Sequence, residues 1–188
     1  NILTTESLIN AKTKAMEYCF GKSGVSGPSD RKKNLIIRQQ AINGHNIVVT
    51  GDRSSGKSLL ACLIVKEAIR SQLSTKWVFL NGLCLKARWG GEKNIEYDFF
   101  DHLADVELLV IDGIDLVHGL YGDMFTLDRF FSRRHNKGFV TVMLCSRKIS
   151  HCLATGPQII EDKLGKAFIS LITDHNNLYI ELSLQDEV

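Results

Sequence analysis

The chain has 188 residues, enough to bury one good core in one domain. A hydrophobic fraction of 44% and a charged fraction of 23% are those of an ordinary soluble globule. The net charge of +2 is too small to mark the whole chain as a nucleic-acid binder, and no apolar stretch approaches the roughly 18 residues of a membrane span.

From the N-terminus, residues 8–20 read as a helix with Ile9, Met16 and Phe20 near one face. Residues 21–30, rich in glycine and serine, read as a loop or linker. Arg31-Lys32-Lys33 leads into a second helix carrying Leu35-Ile36-Ile37 and Ala41-Ile42, which Gly44 ends; the basic run is either a solvated face or a phosphate contact. Residues 1–45 are thus expected to form linker helices ahead of a core over 46–188, all within one domain.

Asn46-Ile47-Val48-Val49-Thr50 has the β-branched, continuously apolar character of a buried strand. It runs into Gly51-Asp52-Arg53-Ser54-Ser55-Gly56-Lys57-Ser58, which satisfies the phosphate-binding pattern G-x-x-x-x-G-K-[ST] at every defined position. The two glycines let the backbone curl so that successive N–H groups form a nest for a β-phosphate. Lys57 supplies a cation to the β- and γ-phosphates, and the Ser58 hydroxyl is placed to ligate Mg²⁺. From Leu59 to Arg70 the chain reads as a helix whose N-terminal dipole would face the phosphates. Strand, loop and helix in this order predict a nucleoside triphosphate site built from Gly51, Asp52, Arg53, Ser54, Ser55, Gly56, Lys57, Ser58 and Leu59.

Residues 76–80 read as a second strand, and 82–101 as irregular apart from short helices over 83–87 and 97–103. Lys86, Arg88 and Trp89 cluster there: cation plus aromatic suits a single-stranded nucleic acid groove, while a Trp89 that simply anchors packing is the plainer alternative. Residues 107–111 form a third strand that closes on Asp112, the acid expected to hold Mg²⁺ through water beside the nucleotide. A helix over 123–134 has Met124, Leu127 and Phe131 on one side. A fourth strand over 139–145 ends in Ser146-Arg147, a helix over 159–172 carries Ile160, Leu164, Phe168 and Leu171 on one face, and 178–182 is a fifth strand. Near-continuous apolar strands alternating with helices predict an α/β fold, a parallel five-stranded sheet covered on both faces.

The cysteines (Cys19, Cys62, Cys84, Cys145 and Cys152) are odd in number and scattered, and read as reduced thiols, those in apolar runs as core. His151-Cys152 beside Cys145 lacks a second ligand pair at zinc spacing. The sequence shows no signal peptide, which favours the cytoplasm.

The phosphate loop, the 99–112 segment closing on Asp112, and a helix ending Asp128-Arg129-Phe130-Phe131-Ser132-Arg133-Arg134 before Thr141-Val142-Met143-Leu144-Cys145-Ser146 together resemble the AAA+ domain of DnaC/DnaI-type bacterial and phage helicase loaders. The related IstB-type transposition ATPases share these features. The resemblance spans roughly residues 8–182. It implies a P-loop NTPase of AAA+ type that binds ATP or ADP with Mg²⁺, single-stranded DNA and a hexameric replicative helicase, and that self-associates as AAA+ domains do. The family's helicase contact lies in an N-terminal extension, expected to lie outside these residues.

The sequence also departs from that pattern. Where the family carries a second acid after the strand-three aspartate, Gly113 stands; Asp115 is the nearest replacement. The sensor asparagine falls on Ser146, whose hydroxyl donates at shorter reach, or on Arg147 if the register slips by one. The trans-acting arginine finger would fall where only Lys163 and Lys166 are available, and a lysine lacks the planar fork. No arginine follows Arg147, so a sensor-2 arginine is missing. The expectation is a nucleotide-binding switch with slow hydrolysis. The alternatives are a competent site using Asp115, Ser146 and a lysine, an IstB-like ATPase, and a non-hydrolysing DNA-binding adaptor. A small-molecule kinase would need an arginine-rich lid that the region after Arg147 does not have.

Overall fold

A computed structural model of the chain describes residues 5–20, 46–89, 95–114, 124–146 and 165–182. In chain order the elements are α1 (Thr5–Phe20), β1 (Ile47–Gly51), α2 (Lys57–Arg70), β2 (Thr75–Phe79), α3 (Leu80–Trp89), α4 (Ile95–Ala104), β3 (Leu108–Asp112), α5 (Met124–Lys137), β4 (Val140–Cys145), α6 (Lys166–Thr173) and β5 (Leu178–Leu182). The strands form one sheet in the order β2-β3-β4-β1-β5. Every neighbouring pair is parallel.

A parallel sheet needs cover on both faces, and the strand residues divide by alternation. Val48, Leu109, Ile111, Met143 and Cys145 point into a core built with Leu80, Leu83, Phe100, Phe130, Phe131 and Phe168 of α3–α6. Ile47, Val49, Leu108, Val110, Val142 and Leu144 point the other way, onto Leu60, Ile64 and Ala68 of α2 and Ala11 and Ala15 of α1. On the first face the rings run as a chain: Phe99 to Phe100 at 5.3 Å, Phe100 to Phe130 at 5.6 Å, Phe130 to Phe131 at 4.9 Å, and Phe131 to Phe168 at 4.8 Å. Tilted and edge-on ring pairs of this kind each contribute about 0.5–1.5 kcal/mol beyond area burial.

Several expectations need correction. The helix expected over 83–87 runs from Leu80 to Trp89 and follows β2 without a loop. Gly82 obscured it, yet a side chain there would meet nothing within 4 Å, so this glycine sits in open space within the helix. On α1 the core face carries Ala11 and Ala15, whereas Ile9 is exposed. On α5 the buried side chains are Leu127, Phe130, Phe131 and Arg134, and Met124 is exposed. That helix continues past Arg134 to Lys137 and stops at Gly138, whose φ of 64° is the left-handed conformation glycine tolerates best. Cys84 and Cys145 are buried and not in disulfides, as expected, but Cys62 is exposed. The helix expected over 31–43, and residues 159–164 of the one expected over 159–172, lie outside the described residues. Among the described residues no helix is long and apolar enough to cross a membrane.

Candidate functional site

In this sheet β1 and β4 are neighbours that send their following helices to opposite faces: α2 onto the Leu60–Ile64 side, α6 onto the Phe131–Phe168 side. A crevice opens beyond the carboxyl ends of two strands that part in this way, and ligands of open α/β sheets bind there. The phosphate loop lies at that place. Thr50 pairs with Cys145, so Gly51 and Ser146 stand level at the strand ends, and Asp112 pairs with Leu144 just below. β3 is separated from β1 by β4 alone, so Asp112 is about 10 Å from the loop's root by strand spacing.

The loop's backbone has the curl its glycines were expected to permit. Gly51 has φ 148° and Gly56 φ 88°, and the non-glycine Ser54 is held at φ 66°. A side chain on Gly51 would collide with the Leu182 carbonyl oxygen and the Ser55 hydroxyl, so the loop's first residue is confined between β5 and the loop itself. Ser55 is fully buried, and its N–H donates to the Asp52 carbonyl at 3.2 Å, closing a tight turn. Gly56 is the N-cap of α2 and gives that helix no side-chain cap. The first N–H groups of a helix have no intrahelical acceptor, so an uncapped start beside a curled loop is a concave donor set for an anion. The Lys57 ammonium is drawn over the loop, donating to the Gly51 carbonyl at 2.7 Å and the Asp52 carbonyl at 2.5 Å, with Ser55 Oγ at 3.5 Å. Ser58 and Leu59 occupy the exposed first turn of α2. Donors and cation fit the phosphates of a nucleotide. Ser58 and Asp112 supply the oxygens that a hard divalent cation prefers.

Asp112 is the last residue of β3 and half-buried, followed by Gly113 at φ 77°. Ser146 is half-buried directly after β4. Lys166 is exposed as the first residue of α6, far along the chain from the loop. The start of that helix is fixed by α5, because Asp128 Oδ1 accepts the Ala167 N–H at 2.9 Å. Asp115 and Lys163 lie outside the described residues. The expected nucleic-acid cluster falls on α3, where Lys86 and Arg88 are exposed and Trp89 is the helix's last residue. Lys86 Nζ stands 4.3 Å from the Phe99 ring centroid, so its charge already rests on an aromatic face of α4. Among the described residues no three His, Cys, Asp or Glu side chains are grouped to hold a metal ion.

Two polar devices at the opposite, amino-terminal edge of the sheet escaped sequence reasoning. Arg134 is completely buried: Nε donates to Thr141 Oγ1 at 2.8 Å, and its two terminal nitrogens to the Val106 and Val140 carbonyls at 2.5 Å. Burial pulls its guanidinium down to about 9, still charged at neutral pH. Asn46 and Asn177 form the second device. Asn177 Oδ1 accepts from the Asn46 backbone N–H at 3.1 Å, Asn46 Oδ1 accepts from Thr141 N–H at 3.0 Å, and the pair locks the entries of β1, β4 and β5. The basic residue at the helix end and the threonine in the next strand were visible, but not that they bond to each other.

No protein-family model matches the chain, and no curated protein matches it. Solved structures do. A putative primosome component from Streptococcus pyogenes serotype M3 aligns over 98% of this chain and 82% of its own, at TM-score 0.59 and 13% identity. The DnaC helicase loader aligns over 85% of this chain and 94% of its own, at TM-score 0.52 and 15% identity. The replication initiator DnaA bound to AMPPCP and single-stranded DNA aligns over 98% of this chain, at TM-score 0.57 and 15% identity, and this chain covers 52% of it. The chain thus spans about half the length of the initiator structures it resembles. At such identities the likeness establishes the fold alone, a parallel five-stranded α/β sheet covered by helices, as the loader resemblance implied.

Proposed function

We propose that the chain is a nucleotide-binding domain of helicase-loader type, acting in DNA replication in the cytoplasm. It binds ATP or ADP with Mg²⁺, contacts single-stranded DNA and a hexameric replicative helicase, self-associates, and hydrolyses ATP slowly. One observation carries the nucleotide reading: the curled loop, the uncapped start of α2, Asp112 and Ser146 converge at the carboxyl edge of β1, β3 and β4. In this reading the loop N–H groups and Lys57 hold the β- and γ-phosphates, Ser58 and Asp112 hold the metal, and Ser146 donates toward the γ-phosphate or the water. Bound Mg²⁺ would neutralise charge developing on the phosphates.

Gly113 supports slow turnover. Where an acid would orient the attacking water, the backbone is in a left-handed conformation that disfavours any side chain. Asp115, Lys163 and Lys166 are the candidates to replace the missing groups. Lys86, Arg88 and Trp89 are proposed as the single-strand contact, and the likeness to an initiator bound to single-stranded DNA supports the class of ligand. The decisive experiment is ATP binding and turnover by this chain with and without single-stranded DNA. DNA-stimulated turnover supports a working loader-type ATPase; tight binding without turnover supports a switch or adaptor; no binding overturns the reading.

A further inference from the structure

Two arginines of the described residues, Arg53 and Arg88, make neither a hydrogen bond nor an ion pair there, and Arg53 lies in the phosphate loop itself. Its counterparts are engaged: Arg70 pairs with Glu67, Arg133 with Asp101 and Asp105, and Arg134 is buried on neutral oxygens. Arg53 and the adjacent Asp52 are both exposed and do not pair with each other. Folding therefore leaves an unpaired guanidinium between Gly51 and Gly56. It shares that loop with the Lys57 ammonium and the positive end of the α2 dipole. Asp52 is the one acid in the loop, so Arg53, Lys57 and the helix end leave it net positive, a field that favours an anion.

We propose that the Arg53 side chain reads the γ-phosphate, so that the loop supplies in cis an arginine for it. The inference rests on the nucleotide reading of the loop and assigns a role within it. The backbone nest chiefly serves the β-phosphate, which di- and triphosphates share, and Lys57 spans the β- and γ-phosphates as a point charge. A guanidinium on a long, exposed side chain reaches beyond the nest, and its planar fork matches a terminal phosphate in two hydrogen bonds. The chain would then distinguish triphosphate from diphosphate through its own loop.

The test is equilibrium titration of the whole chain with fluorescent ATP and ADP analogues and Mg²⁺, comparing wild type with Arg53→Ala and Arg53→Lys. Arg53→Ala should weaken the triphosphate about tenfold or more and leave the diphosphate within about twofold, as expected for losing a charge-assisted bond to the γ-phosphate. Arg53→Lys should fall between, keeping the charge without the fork. Equal weakening of both nucleotides, or an unchanged ratio, overturns the role of Arg53 and leaves the loop assignment standing. Wild-type protein that binds neither nucleotide overturns both. Because Arg53 is exposed, unchanged melting temperatures should accompany either variant.

Discussion

Arg134 Nε donates to Thr141 Oγ1 at 2.8 Å inside the protein, tying the last turn of α5 to the start of β4. The same guanidinium takes the Val106 and Val140 carbonyls, so three neutral oxygens hold one buried cation. Arg134→Ala removes packing and strands those acceptors, and should cost roughly 3–5 kcal/mol. Thr141→Val deletes one acceptor and should cost roughly 1–2 kcal/mol. Denaturant unfolding checks both, and the double variant should cost less than the sum. Since this cluster is at the sheet edge opposite the phosphate loop, folded Arg134→Lys should bind nucleotide like wild type.

Asp105 lies in an exposed cluster in which Lys137 and Arg133 donate to its carboxylate, and Arg133 also pairs with Asp101. Lys137 first, and then Arg133, hold the Asp105 carboxyl below its ordinary value of 3.8. A depressed carboxyl binds fewer protons folded than unfolded, so its contribution is present above pH 3.8 and is lost as pH falls through the folded value. Solvent screening keeps it within about 1 kcal/mol. The stability difference between wild type and Asp105→Asn should therefore be small at pH 7, begin to shrink near pH 3.8, vanish below the folded value, and shrink in about 1 M salt.

Lys57→Ala should abolish nucleotide binding, because the substitution removes the ammonium that the loop holds over the nest. Stability should change little: its bonds go to carbonyls of a partly exposed loop. Thermal shift by ATP reports both at once, since a bound ligand raises stability in proportion to ln(1 + [L]/Kd). A variant with wild-type affinity would remove the phosphate-loop assignment.

Lys86→Ala with Arg88→Ala should weaken single-stranded DNA binding and flatten its dependence on salt, with a slope smaller by roughly 0.7 per lost phosphate contact. Lys86 also rests over Phe99, a contact worth about 0.5–1 kcal/mol at an exposed site, so the comparison must use variants shown to be folded. Unaffected DNA binding would move the groove away from α3.

Legibility tracked how local the signal was. The phosphate loop is a contiguous motif whose glycine spacing dictates backbone shape, and its strand, loop and helix stand where the spacing places them. The sheet strands were readable because burial on both faces makes them continuously apolar. The start of α3 was hidden by Gly82, since propensity penalises a glycine that open space in fact tolerates. On α1 residue size was a poor guide at the positions described, since the small Ala11 and Ala15 are buried while Ile9 is exposed. Arg134 and the Asn46–Asn177 pair were invisible for a different reason. A buried polar group announces itself only through its partner, and Asn46 and Asn177 are 131 residues apart.

The last prediction concerns the missing acid. If the proposed slow hydrolysis reflected only the absence of a carboxylate after Asp112, Gly113→Glu would speed it. The backbone argues otherwise. Gly113 has φ 77°, where a glutamate is strained by about 1–2 kcal/mol and relief requires the end of β3 to rotate. That rotation would carry Asp112 with it, and Asp112 is the proposed metal residue. Gly113→Glu is therefore expected to lower stability and to leave single-turnover ATP hydrolysis no faster than wild type. A tenfold gain in turnover at unchanged ATP affinity would show that the strand end adapts and that a carboxylate was the missing part. A loss of stability with no gain would mean that the conformation after Asp112, and not the missing carboxylate alone, limits hydrolysis.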